Sequence, residues 1–139
     1  MSDDRGQAAI LAVCLIAIAA AVMGGLRVAQ TALLARAVER RAGEAAVEAA
    51  TAVVADAYAA EVRARRSPSG ASRDVASVVG DAITREAARA GASDMSVRNG
   101  GESVSDVAVA CDAGAVTVTI ELRGTLYRAS FEAPECSRR

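Results

Sequence analysis

From Ala8 to Leu26 the chain reads AAILAVCLIAIAAAVMGGL, without a charge, and Arg5 and Arg27 close the block on either side. At about 1.5 Å rise per residue, a helix of this length just spans a hydrocarbon core of about 30 Å. The first competing reading is a buried core helix. A domain this small has too little surrounding protein to cover a helix that is apolar all round. The second is a cleaved secretory signal, because Ala19-Ala20-Ala21 offers small residues at the usual spacing. Against it stand an n-region, MSDDR, with two acids before its single Arg, and a helical pattern that continues past the supposed cut. The block predicts a transmembrane helix over 8–26.

The pattern stays helical from Val28 to about Arg66, with no Pro. Leu33, Leu34, Val38, Ala45, Val53 and Val54 are the expected apolar contacts. Arg36, Glu39, Arg40, Glu44, Glu48 and Glu61 form the expected polar face, and Glu61 and Arg65 stand four apart in the favourable order. The whole stretch from Gln7 to Arg66 predicts one rod of roughly 90 Å, about a third of it in the membrane. Gly24-Gly25 is the weakest point in it, a place for a kink or a locally melted turn, or more plainly for close helix packing.

Ser67-Pro68-Ser69-Gly70 breaks the rod. A shorter amphipathic helix is expected from about Ser72, as N-cap, to Ala90, with Gly91 as its stop. Val75, Val78, Val79, Ala82 and Ile83 fall on its apolar face, and Asp81, Arg85 and Arg89 lie off it. The period then changes to alternation. Val107, Val109 and Cys111 share one side of a strand, and Val116, Val118, Ile120 and Leu122 share one side of the next. Asp112-Ala113-Gly114 and Arg123-Gly124 are turns, and a third strand follows over 125–131. A further short strand near Met95–Arg98, ended by Asn99-Gly100-Gly101, would make four. The expected fold class is α+β: a long N-terminal helix, one short amphipathic helix, and an antiparallel meander of three or four strands. The expected divisions are a leader over 1–7, the span over 8–26, a projecting helix over 27–66 and a small α+β domain over 67–139.

Composition narrows the chemistry. Hydrophobic residues make up 53% of the 139, yet aromatics only 2%, so the core must be built from Ala and Val. A formal charge of −1 gives no basic field for nucleic acid. Every basic residue is Arg, which we read as codon bias. Histidine is absent, which removes the commonest general base and metal ligand, and no paired-cysteine zinc spacing occurs. No metal and no cofactor is expected. Ser67, Ser69 and Asp74 form the one conceivable nucleophile group, but it has no base, and a Ser-rich loop is the commoner meaning of such a pattern. The chain is not expected to be an enzyme.

The cysteines are Cys14, Cys111 and Cys136. In an antiparallel meander the strand ending at Cys111 and the strand ending at Phe131 run the same way and finish at the same end of the sheet. One intervening strand separates them by about 10 Å, and Glu132–Glu135 supplies slack to close the gap. A Cys111–Cys136 bridge would close a loop of about 25 residues, worth roughly 3 kcal/mol, and would persist only outside a reducing cytoplasm. The alternative is two free thiols, one in the core and one on the tail. Cys14, in lipid, is expected to stay unpaired.

A long N-terminal helix, half in the membrane and half against a small C-terminal sheet, resembles the plan of type IV pilin-like subunits. Asp4-Arg5-Gly6-Gln7-Ala8-Ala9, at the head of the apolar block, resembles the start of TadE/TadG-like proteins of the tight-adherence (Flp) pilus system. So does the run from Ala29-Gln30-Thr31 through Arg40-Arg41-Ala42-Gly43-Glu44-Ala45-Ala46. The resemblance covers about the first sixty residues. It implies a cytoplasmic N-terminus, an outward domain, and cleavage by a prepilin peptidase between Gly6 and Gln7. Pilins usually carry Glu at the fifth mature position, which neutralises a neighbour's terminal amine; here that position is Leu11. Either the subunit is uncut, or it sits where no such neighbour exists, as at a tip or in an initiating complex. Charge counting opposes this topology, because Arg27, Arg36, Arg40 and Arg41 follow the span and only Arg5 precedes it.

Two functions of different class follow. The first is a structural minor pilin or pseudopilin-like subunit of a Tad/Flp-type pilus or related secretion assembly, serving secretion or cell adhesion. Its partners would be membrane lipid, other pilin-like subunits, inner-membrane platform proteins and a prepilin peptidase, with no nucleic acid. Ala19, Ala20, Ala21, Gly24 and Gly25 would permit close helix approach in such an assembly. The second is a membrane-anchored binding or adaptor domain unrelated to pili.

Overall fold

The computed structural model describes residues 4–67 and 73–136. In chain order the elements are α1 (Asp4–Arg66), α2 (Val75–Val79), α3 (Ala82–Arg98), β1 (Val107–Asp112), β2 (Ala115–Leu122) and β3 (Thr125–Glu132). The fold is α+β, with one long N-terminal helix and a three-stranded antiparallel sheet in the order β1-β2-β3. The chain divides into two compact units, Met1–Ala37 and Val38–Arg139.

In the first unit, α1 passes through Gly24-Gly25 without a break in its helical assignment, so no melted turn occurs there. The large apolar side chains from Ile10 to Leu34 are all exposed. Leu33 and Leu34, expected as contacts, are 65% and 66% exposed. The core of the second unit takes in α1 from Ala42 onward.

In the second unit, the buried face of α1 is made of small residues. Ala42, Ala46, Ala50 and Val54 recur every four residues and are fully buried, which is the helical repeat that stacks side chains on one stripe. Helix α3 answers with Thr84, Ala88, Ala92 and Ser96, also four apart and buried. Gly91 sits in mid-helix where α3 approaches α1. A Cβ there would lie 3.5 Å from Val53 Cγ2 and 3.9 Å from the Ala49 carbonyl oxygen. Gly91 is therefore a crossing point, and the expectation that it stops the helix is corrected. The stop is Asn99-Gly100, where the Asn99 side chain donates to Met95 O at 2.8 Å. Residues 95–98 are helical, which removes the fourth strand.

The single helix expected over 72–90 is two. Asp81 accepts from Thr84 N at 2.7 Å and starts α3 afresh, because an N-cap carboxylate satisfies a donor that a continuous helix would have used. That restart also turns Ile83 outward to 81% exposure, whereas Val75, Val78 and Val79 are buried as expected. The expected cap Ser72, with Pro68, Ser69 and Gly70 of the break, lies outside the described residues.

The sheet follows its alternation. Val116, Val118, Ile120 and Leu122 are buried on the inner face, and Val107 joins them from β1. In the register, Val109 stands opposite Val118, and Val118 opposite Ala129. Both hairpins close through two residues with positive φ, Ala113 (54°) with Gly114 (78°) and Arg123 (51°) with Gly124 (76°). That geometry matches the twist of the flanking strands and explains a Gly at each second position.

Candidate functional site

Three features of the chain offer chemistry or contact. The first is the exposed apolar length of α1. Ile10, Leu11, Val13, Leu15, Ile16, Ile18, Val22, Met23 and Leu26 are each more than half exposed. The helix is long and apolar enough to cross a membrane, and none of its apolar window is buried. Cys14 is a free, exposed thiol within it. Gly24 and Gly25 have open space where a Cβ would stand. Gly6 and Gln7, the expected processing site, fall in the first turn of α1.

The second is the segment after β3, where the expected bridge forms. Cys111 and Cys136 are joined by a disulfide, with their Cα atoms 5.1 Å apart. The slack between Glu132 and Cys136 carries the chain across the end of β2. Ala133 N donates to Gly114 O, and Gly114 N donates to Cys136 O, each at 2.8 Å. Cys111, Val116 and Phe131 form one cross-strand row beneath this crossing. Tyr58 on α1 meets Phe131 edge-on, with ring centroids 5.6 Å apart, and its hydroxyl donates to the Glu135 carboxylate. Burial, and then that hydrogen bond, raise the Tyr58 phenol above its ordinary value. The same bond holds the Glu135 carboxyl below its own.

The third is a groove of about 400 Å³ lined by α1 residues Ala57, Ala60, Glu61 and Ala64, with Arg73, Val78, Asp81, Ile83 and Thr84 opposite. Glu61 was expected on the solvent face and is only 8% exposed. Its Oε1 accepts from Arg73 N at 2.8 Å, while Arg65 Nη2 donates to Arg73 O at 2.6 Å. The two side chains, in ion-pair contact at 4.0 Å, thus hold both backbone polar groups of one residue, Arg73, and fix the chain just ahead of α2. Nothing local in the sequence marks Glu61 for this task, because its partner is a backbone twelve residues away. Thr84 N holds the Asp81 carboxyl below its ordinary range, so it remains an anion at the rim.

No group of three potential metal ligands occurs among the described residues. Tyr58 and Glu135 escaped the sequence reading for the same reason as Glu61: they are 77 residues apart, and only the folded sheet brings them together. No protein-family model, curated protein or solved structure matches the chain.

Proposed function

We propose that the chain is a structural subunit, a minor pilin or pseudopilin-like component of a Tad/Flp-type pilus or related secretion assembly. In this reading residues 8–26 anchor it in the cytoplasmic membrane, the N-terminus faces the cytoplasm, and the domain stands outside. One observation carries it. An N-terminal helix carries an apolar window of which none is buried, and the same chain holds a small disulfide-bonded α+β domain. An apolar anchor helix followed by a small, compact α+β domain resembles the plan of a pilin-like subunit.

The disulfide supports outward placement of the domain, since such a bridge persists only outside a reducing cytoplasm. It outweighs the arginines after the span, because charge bias sets a preference rather than a rule for one helix. The head Arg5-Gly6-Gln7 supplies the cut site of the processing step, and Leu11 in place of an acid fits a subunit with no amine to neutralise above it.

The test is the mature N-terminus of protein from native membranes and from material sheared off the cell surface. Protein beginning at Gln7 in both fractions, and full-length protein from a Gly6→Val strain, is the expected result. A chain confined to membranes, uncut, that crosslinks to no platform protein belongs instead to an adaptor.

A further inference from the structure

The segment that follows β3 turns back and straps the end of the sheet. Its four attachments all lie at that end: the Cys111–Cys136 bond, the two hydrogen bonds with Gly114, and the Tyr58 hydroxyl on Glu135. Cys136 N closes the strap on Ala133 O at 2.8 Å. Ala133 and Cys136 are buried by this arrangement. The residues that join sheet to helices, Val54, Val75, Val79, Val118, Ile120 and Leu122, belong to the same core but not to the strap. A single hydrogen bond contributes little net stability. Covalent closure acts differently, by removing the freedom of the open chain. The strap therefore depends on its disulfide far more than the sheet does.

We propose that residues 133–136 form a redox-set latch: oxidation of Cys111 and Cys136 closes the end of the sheet, and reduction opens that end while the helices and hairpins stay folded. The latch goes beyond the assembly reading and does not rest on it.

The chemistry balances as thiol–disulfide exchange. On closure the two thiols give two electrons and two protons to the disulfide of an oxidoreductase or a small disulfide. The oxidoreductase leaves as a dithiol, or the small disulfide as two thiols, and Sγ joins Sγ. On opening, a thiolate of a dithiol reductant attacks the Cys111 sulfur and expels Cys136 as a thiolate, which takes up a proton. The reductant's second thiol then resolves the mixed disulfide, restores the Cys111 thiol and leaves the reductant oxidised. Attack falls on Cys111 because it is half-buried whereas Cys136 is 3% exposed. In a reducing compartment the latch stands open, with Tyr58, Phe131 and the Val116 end of the sheet uncovered; in an oxidising one it is shut.

Native-state amide exchange on the full chain in detergent, before and after reduction with dithiothreitol, tests this. Reduction is expected to speed exchange at Gly114 and Ala133 at least about tenfold more than at Val118 and Ile120, which feel only the bridge's effect on the whole domain and stay protected. Reoxidation restores the first pair. The Tyr58 phenol also falls toward its ordinary value on reduction, while Tyr127 does not move. Uniform acceleration overturns the latch in favour of a global staple. No acceleration at Gly114 and Ala133 overturns it by showing the strap closed without its bond. A Cys111→Ser/Cys136→Ser double variant should reproduce the reduced pattern, and in-place reduction gives the answer if that variant does not fold.

Discussion

The ring of Tyr127, in β3, occupies the space that a Cβ on Gly43 of α1 would fill. The ring lies directly on the helix backbone, which offers no side chain of its own there, and the Tyr127 hydroxyl reaches Glu39 O at 3.5 Å. Gly43→Ala would gain up to about 1 kcal/mol of helix propensity. Overpacking against the ring is expected to reverse that, for a net loss of about 1–3 kcal/mol. Denaturant unfolding checks it. Combined with Tyr127→Ala, the same substitution should cost less than it does alone, since the obstructing ring is gone.

The Tyr58–Glu135 bond needs a neutral phenol and an ionised carboxylate. Tyr58 holds its proton more tightly when folded, so its contribution is complete below about pH 10 and is lost as pH rises through the raised folded value. Glu135 ionises more readily when folded, so its contribution is complete above about pH 4.3 and is lost as pH falls through the lowered folded value. Thermal unfolding across pH should give a plateau between two falling limbs. Tyr58→Phe should flatten the alkaline limb and shift the acid limb toward that of Glu135→Gln.

Glu61 is a buried acceptor with a specific donor. Glu61→Ala leaves the Arg73 amide without it, and a loss of about 1–3 kcal/mol is expected. Glu61→Gln keeps an acceptor and should cost less. Faster exchange of the Arg73 amide in the Ala variant would tie the loss to that bond.

Ser96 is fully buried, and its hydroxyl has no hydrogen-bond partner among the described residues. Replacing it with Ala removes an unsatisfied polar group and improves helix propensity, so a gain of about 1 kcal/mol is expected. A loss of stability on calorimetry would mean that a water or a shifted rotamer satisfies the hydroxyl.

Leu15 lies near the centre of the apolar block. Leu15→Asp places a carboxylate there at about 2.5–3.5 kcal/mol on insertion scales. The variant should be extracted from membranes by alkaline carbonate where the wild type is retained. Retention of the variant would put the span elsewhere.

The strands, both turns and the bridge were legible in the sequence because their signals are local or follow from strand direction alone. Alternation marked Val116 to Leu122, and counting strand directions brought Cys111 and Cys136 to one end of the sheet. The helical half was harder. Leu33 and Leu34 drew attention by their size, but the buried stripe is Ala42, Ala46 and Ala50, and alanine gives almost no hydrophobic periodicity in a chain where it is everywhere. The sequence marks Gly91 as a helix stop, whereas it is a helix crossing, which only the position of Val53 shows. The candidate latch shared that fate in part: the cysteines and the Gly114 turn were visible, while the pairing of Tyr58 with Glu135, which completes it, has no pattern of its own.

A seam of alanine and glycine between α1 and α3 has a calorimetric consequence. Unfolding raises heat capacity in proportion to the apolar area it exposes. Ala42, Ala46, Ala50, Ala88 and Ala92 each bury one methyl group, where Leu or Phe in the same places would bury several times the area. The heat-capacity increment per residue of this domain should therefore fall below the usual figure of about 12–15 cal/mol/K. Its stability curve would be correspondingly shallow, varying little over the range of temperatures a bacterium or any other free-living cell meets.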